Sequence, residues 1–259
     1  VEHSFVTSKE EHALLADNLG KTYLSIAGGL PSTEFIKSEG WVAAVNPFAH
    51  PICNFAICED CADLDIKELR RLASGRPFFN VYVNHFAEED GAHETLEEKG
   101  LVRLYRLDQM ARTREEPAGR PCELAEAFGV QDRKRISDFM CWQFFSTQTP
   151  AIRDKISAAT LSAPQLKLYE TQAVEIRSRP AAAVMLHRTP GVLGLYNLCV
   201  AVPLRKRGYG SMVVHAVEIL GIQESVIVGL QCDPGLSHWY VGLGLEKVGS
   251  VDVYAFKKL

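Results

Sequence analysis

Asn197-Leu-Cys-Val-Ala-Val-Pro-Leu-Arg-Lys-Arg-Gly-Tyr-Gly-Ser-Met-Val-Val-His-Ala-Val-Glu218 is the stretch from which the rest of the chain is read. Leu198, Cys199, Val200 and Val202 are strand formers, and Pro203 ends that run. A basic, glycine-spaced turn follows. Apolar residues then return at helical spacing, as Val213, Val214, Val217 and Leu220. A strand that passes through such a turn into a helix is suited to holding phosphate. The helix start offers N–H groups without intrahelical partners and the positive end of the macrodipole. Gly208 and Gly210 keep side chains away from that backbone, while Arg205, Lys206 and Arg207 add positive charge. The turn is not a P-loop, since no Gly-Lys-Ser/Thr follows, and it lacks the three-glycine dinucleotide fingerprint.

Arg205-x-x-Gly208-x-Gly210 resembles the pyrophosphate-binding motif of the GNAT superfamily of acyl-CoA N-acyltransferases, Arg/Gln-x-x-Gly-x-Gly/Ala. The spacer between Pro203 and Arg205 is a residue shorter than is common there. A second stretch, Asp233-Pro-Gly-Leu-Ser-His-Trp-Tyr240-Val-Gly-Leu-Gly244-Leu245, is similar to the family's Asn-x-x-Ala-x-x-x-Tyr-x-x-x-Gly-Phe segment, with Asp233 for Asn and Leu245 for Phe. The resemblance covers roughly residues 120–259. It implies an α/β (α+β) fold, a mixed and mostly antiparallel sheet flanked by helices, and acetyl-CoA as acyl donor. It further implies that Val200, Ala201 and Val202 present backbone to the pantetheine arm, with Val200 or Val202 polarising the thioester. Arg207, Gly208, Tyr209, Gly210 and Ser211 would hold the pyrophosphate through backbone N–H groups, and Arg205 and Lys206 would add charge to the same cofactor site. Asp233, Ser237 and Tyr240 complete the cofactor site, and Tyr240 would protonate the departing thiolate.

The remaining chain fits that frame. With 259 residues it can bury a sizeable core. No apolar run reaches membrane-spanning length, no basic-then-apolar leader is visible, and seven cysteines without framework spacing fit reduced thiols. These features point to a cytoplasmic protein. Lys+Arg minus Asp+Glu gives 12 − 20 = −8 for residues 1–116 and 16 − 12 = +4 for residues 117–259, so the basic half carries the phosphate turn. No basic-aromatic interleaving of the kind used by single-strand binders is present, and neither nucleic acid nor membrane is expected as a partner.

Elements of the first half are expected as a helix over 9–20, strands at 41–45 and 54–58, a helix over 62–73 and strands at 77–83 and 101–107. A charged linker spans 112–121. Beyond it come helices at 122–128 and 132–146, strands at 166–176, 180–187 and 192–202, the helix from 208 to about 221, a strand at 225–232, a short helix over 236–242 and a strand at 248–257. Within the first half, helix, strand, short helix, Gly100-Leu101 and strand echo the series that ends on Gly244-Leu245. In that alignment Leu96 falls where Tyr240 stands. The glycine turn is replaced by Cys58-Glu-Asp-Cys-Ala-Asp63, whose carboxylates would repel a pyrophosphate. The expectation is two GNAT-like domains, a degenerate one over 1–115 and a catalytic one over 120–259.

The acceptor is read as a primary amine on a small molecule, peptide or protein, with non-catalytic acyl-CoA binding as the alternative. No carboxylate precedes the glycine turn in Leu193-Gly-Leu-Tyr-Asn-Leu-Cys199, so the base stays open between Glu170, Glu175, His187 and solvent. Cys58-x-x-Cys61 with Cys53 has no second pair, and His50 and His85 lie at no ligand spacing from it, so no metal is expected.

Overall fold

The computed structural model describes residues 8–58, 64–85, 92–112, 119–173 and 179–257. In chain order the first half gives α1 (Ser8–Gly28), β1 (Glu34–Ser38), β2 (Trp41–Val45), β3 (Phe55–Cys58), α2 (Ile66–Ala73), β4 (Asn80–His85), α3 (Ala92–Glu98) and β5 (Leu101–Arg112). The second half gives β6 (Ala125–Glu126), α4 (Val130–Phe144), α5 (Pro150–Leu161), β7 (Leu166–Thr171), β8 (Ala182–Thr189) and β9 (Val192–Val200). It closes with α6 (Tyr209–Glu224), β10 (Ile227–Cys232), α7 (Pro234–Leu243) and β11 (Leu245–Phe256).

Among the described residues all the strands join one sheet of 11, in the order β1-β2-β3-β4-β11-β5-β10-β9-β8-β7-β6. Two pairs are parallel, β3 with β4 and β9 with β10, each joined by a crossover helix, α2 or α6. The halves exchange their last strands. β5 of the first half lies between β10 and β11, and β11 of the second half lies between β4 and β5.

Helices cover both faces because the strands alternate apolar residues between two cores. On one face, Phe55, Tyr82, Leu166, Leu168, Met185 and Tyr196 meet α1, α4 and α5. On the other, α6 and α7 bury Val213, Val214, Val217 and Tyr240 against Val184, Leu193 and Leu230. There α2 and α3 bury Leu69, Leu72 and Leu96 against Val81, Val83 and Tyr254. Each such aliphatic side chain contributes about 1.5–3 kcal/mol of burial. Among the described residues no helix is long and apolar enough to cross a membrane.

Residues 122–128 do not form the expected helix. Between Pro121 and Gly129 the run is too short to sustain one without a packing face. Its backbone instead pairs with the sheet edge, Ala125 opposite Glu170 and Glu126 opposite Tyr169. A helix that was not expected, α5, starts where Thr149 caps it and Pro150 occupies its first turn. The edge strand β1 was also not anticipated, since three of its five residues are polar and most are exposed. Leu96 on α3 and Tyr240 on α7 are both buried, each four residues before a left-handed glycine, Gly100 (φ 85°) and Gly244 (φ 102°).

Two polar locks hold this arrangement. On α1, Asn18 accepts from the Tyr196 hydroxyl at 2.6 Å and donates to Thr189 Oγ1 at 2.9 Å and to the His187 carbonyl at 3.1 Å. Gly194 leaves the room for it, because a Cβ there would lie 2.0 Å from Asn18 Oδ1. At the exchanged strands, Asp252 on β11 sits opposite Arg106 on β5 and takes a bidentate pair from it at 2.7 and 2.8 Å. Burial alone would raise the Asp252 pKa, but Arg106, His85 and Arg103 outweigh it and hold the carboxyl below its ordinary value.

Gly194→Ala is expected to lower the unfolding free energy by about 1–3 kcal/mol in urea titration; an unchanged midpoint would contradict the lock. Because the folded Asp252 pKa lies below its unfolded value of ~3.9, its stabilisation is present above that value and fades as pH falls through the folded one. Asp252→Asn should therefore flatten the acid limb of the stability profile between about pH 5 and pH 2, and an acid limb as steep as in the unmodified protein would refute this.

Candidate active site

β9 and β10 are paired only from Val192/Ile227 to Leu195/Leu230. Beyond that point β9 continues to Val200 and β10 to Cys232 without pairing, so the sheet is open between them. A bulge accompanies the parting. On β9, Asn197 and Leu198 together face the single residue Val184 of β8, and Asn197 adopts φ 52°. A bulge turns the strand and redirects its backbone groups. Asn is among the few residues with a side chain that tolerate this left-handed geometry.

After β9 the chain makes a 3-10 turn at Val202–Leu204, and the Ala201 N–H is held by the Ala181 carbonyl at 2.8 Å. Lys206 (φ 63°) and Gly208 (φ 85°) are left-handed, which turns the backbone into α6. Gly208 occupies the cap position without any side-chain cap. The first intrahelical bond runs from the Met212 N–H to the Gly208 carbonyl at 3.0 Å, so the N–H groups of Tyr209, Gly210 and Ser211 precede it. A Cβ on Gly208 would meet nothing within 4 Å, so the space before this helix end is open. Lys206 and Arg207 are exposed beside it. Arg205 points elsewhere: its guanidinium donates to the Val200 carbonyl at 3.3 Å and to Gln143 Oε1 on α4 at 3.1 Å. It braces the turn against α4. The corresponding start of α2 is closed, since the Asp65 side chain accepts from the Glu68 N–H at 3.0 Å. The acidic turn Glu59–Asp63 lies outside the described residues.

From the opposite direction α7 completes the site. Trp239 reaches the first turn of α6, where a Gly210 Cβ would lie 3.4 Å from its ring. Tyr240 is buried, its ring 4.6 Å from that of Trp239. Burial raises its pKa, and the nearby Cys232 at the end of β10 adds to the rise, so the phenol keeps its proton at neutral pH. Asp233 caps α7 by accepting from the Gly235 N–H at 2.8 Å. Ser237 donates to Asp108 of β5 at 2.5 Å, tying α7 to the exchanged strand.

Both described candidate bases, Glu170 and His187, are buried and hydrogen-bonded within the protein. Glu170 is buried and bidentate to Arg135, at 2.6 Å on each oxygen. The His187 Nδ1 is 2.8 Å from the Thr22 hydroxyl within the Asn18 network, and burial lowers its pKa. Glu175 and Cys61 lie outside the described residues. Cys58 is buried on β3, and no cluster of His, Cys, Asp or Glu that could hold a metal occurs among the described residues.

The sequence reading missed Asn197 and the cavity beside it. The cavity, of about 240 Å³, lies on the α1, α4 and α5 face and is lined by aromatic side chains from both halves. An Asn inside the apolar run of β9 was the available signal for the bulge. No local signal gathers aromatic residues from five elements.

No protein-family model and no curated protein matches the chain in sequence. Solved structures do match. The GCN5-related N-acetyltransferase from Kribbella flavida aligns with a TM-score of 0.63 over 95% of this chain and 96% of its own, at 14% identity. A tandem GNAT protein from the clavulanic acid biosynthesis pathway gives 0.57 over 92% and 94%, at 12% identity. The chain has the GNAT fold. The GCN5-related N-acetyltransferase from Sphaerobacter thermophilus agrees, with 0.53 over 84% and 80% at 14% identity. Within the GNAT fold, the parted strands, the uncapped α6 and the buried Tyr240 lie together at one opening of the sheet.

On the CoA-binding role we propose for this turn, Gly208→Val should weaken CoA binding at least about tenfold in calorimetric titration, because a β-branched residue is forced from the left-handed conformation that shapes the turn. Thermal stability should also fall, by about 1–3 kcal/mol, because a β-branched residue at this left-handed position is strained even though nothing lies within 4 Å of the new side chain's root. An affinity within twofold of the unmodified protein would contradict the cradle.

Proposed function

We propose that the chain is an acetyl-CoA-dependent N-acetyltransferase, transferring an acetyl group to a primary amine by direct attack in a ternary complex. The observation that carries this reading is the uncapped start of α6 at the end of a strand that has parted from its parallel neighbour. The pyrophosphate would rest on the backbone of Arg207 to Ser211, with Lys206 and Arg207 supplying charge. The pantetheine arm would enter between β9 and β10 and pair with β9 as an added strand. The amine would approach from the aromatic cavity on the other face.

In the reaction the amine lone pair forms the C–N bond at the thioester carbonyl carbon. The C–S bond then breaks with its electrons on sulfur. Tyr240 donates a proton to the departing thiolate, and the nitrogen releases its surplus proton to solvent. Glu170 and His187 are already committed to internal partners, which supports an amine that arrives neutral over one deprotonated by the protein. The second half, 120–259, carries the chemistry in this reading, and the first, 1–115, is a degenerate unit whose α2 start is closed by Asp65. The cytoplasmic location belongs to the same reading.

The engagement of Glu170 with Arg135 favours one rival, an acyl-CoA-binding module without turnover. Thiol release from acetyl-CoA with a panel of amines separates the two. Tyr240→Phe should lower kcat by about 10²-fold or more while leaving CoA affinity nearly unchanged. An unchanged kcat would remove Tyr240 from the mechanism. Saturable CoA binding with no thiol release from any amine would decide for the binding module.

A further inference from the structure

The cavity beside the Asn197 bulge has an unusual wall for a site that would receive an amine. Tyr23 on α1, Phe55 on β3, Tyr82 on β4, Tyr105 on β5 and Met140 and Phe144 on α4 line it. The rings interlock: Tyr23 and Tyr82 meet edge to face at 5.1 Å, and Phe55 lies 5.9 Å from Tyr82. No Asp, Glu, Lys or Arg is among the described residues of this wall. His50, at its margin, is stacked on Phe48 at 5.5 Å and accepts from the Ile52 N–H at 3.2 Å. Burial lowers the His50 pKa, so it too is uncharged at neutral pH.

A volume of about 240 Å³ falls below the ~300–1,000 Å³ common for drug-sized ligands, enough for one ring and a short chain. A carboxylate or phosphate entering here would shed its water with no cation to receive it, and a second ammonium would find no carboxylate. A single basic nitrogen on an apolar body meets neither penalty. Ring faces attract its charged form weakly, while loss of water shifts it toward the neutral form. The neutral form is the nucleophile.

We infer that the acceptor is a small arylalkyl or alkyl monoamine, and that the uncharged cavity itself supplies the neutral amine in place of a general base. Zwitterionic amino acids, polyamines and phosphorylated amines are excluded by the same wall. This inference rests on the acetyltransferase reading. Its test therefore measures amine binding and acetyl transfer separately.

With the protein saturated with CoA, phenethylamine, spermidine and glycine are each titrated by calorimetry, and thiol release from acetyl-CoA is measured for the same three. Phenethylamine should bind at one site and be acetylated with kcat/KM about 100-fold above the other two, the scale set by one unpaired charge taken from water. Phe144→Glu, at the half-exposed rim (49% accessible), should shift the preference at least about tenfold toward spermidine, and Phe144→Leu should leave the order intact. Selective binding of phenethylamine without acetylation would support the cavity's selectivity while overturning the acetyltransferase reading. Preferred acetylation of spermidine or glycine would overturn the inference and leave that reading standing. Failure of phenethylamine to bind the CoA-loaded protein would also overturn the inference.

Discussion

The structure depends on β9 leaving β10 after Leu195. Up to that residue the two strands are an ordinary parallel pair, and their hydrogen bonds are satisfied by each other. Past it the Asn197 bulge turns β9 away, and backbone that a closed sheet would pair internally borders an opening. Three separate features then converge there. The glycine turn brings the start of α6 to the end of β9, α7 brings Tyr240 beside the end of β10, and the cavity faces the bulge from the other side of the sheet. A closed sheet would leave all three without a common place.

The exchange of β5 and β11 makes that opening a property of the whole chain. β10 forms one side of it, and its other edge is paired with β5 from the first half. Without β5 that edge would be exposed, and Ser237 would lose Asp108. The first half also gives the cavity Phe55, Tyr82 and Tyr105. Its own crossover helix starts on a capping Asp65 instead of an uncapped glycine. The same supersecondary unit thus occurs twice, and the residue at the helix start separates an end open to an anion from one that satisfies itself.

Much of this was legible in the sequence where the information is local. The strand, turn and helix around Arg205-Lys-Arg-Gly-Tyr-Gly210 carry their own breakers and periodicity, and the structure has them within a few residues of the expected bounds. The echo between Gly100 and Gly244 was readable for the same reason, as both positions require a left-handed residue. What could not be read is long-range. Nothing in Leu101–Arg112 says that this strand will pair with β10 and β11 of the other half. Arg205 takes its place in the motif from spacing alone, which does not show that its guanidinium bonds to Val200 and Gln143. The cavity could not be placed from the sequence, because its aromatic residues look, one by one, like core.

Hydrogen exchange with and without CoA would locate the donor most directly. Slowed exchange is expected in peptides spanning residues 196–211 and 230–233, where β9, the α6 turn and the end of β10 border the opening. Peptides over residues 55–70, which include the start of α2, should be unchanged. Protection at α2, or none at the α6 turn under saturating CoA, would contradict the account.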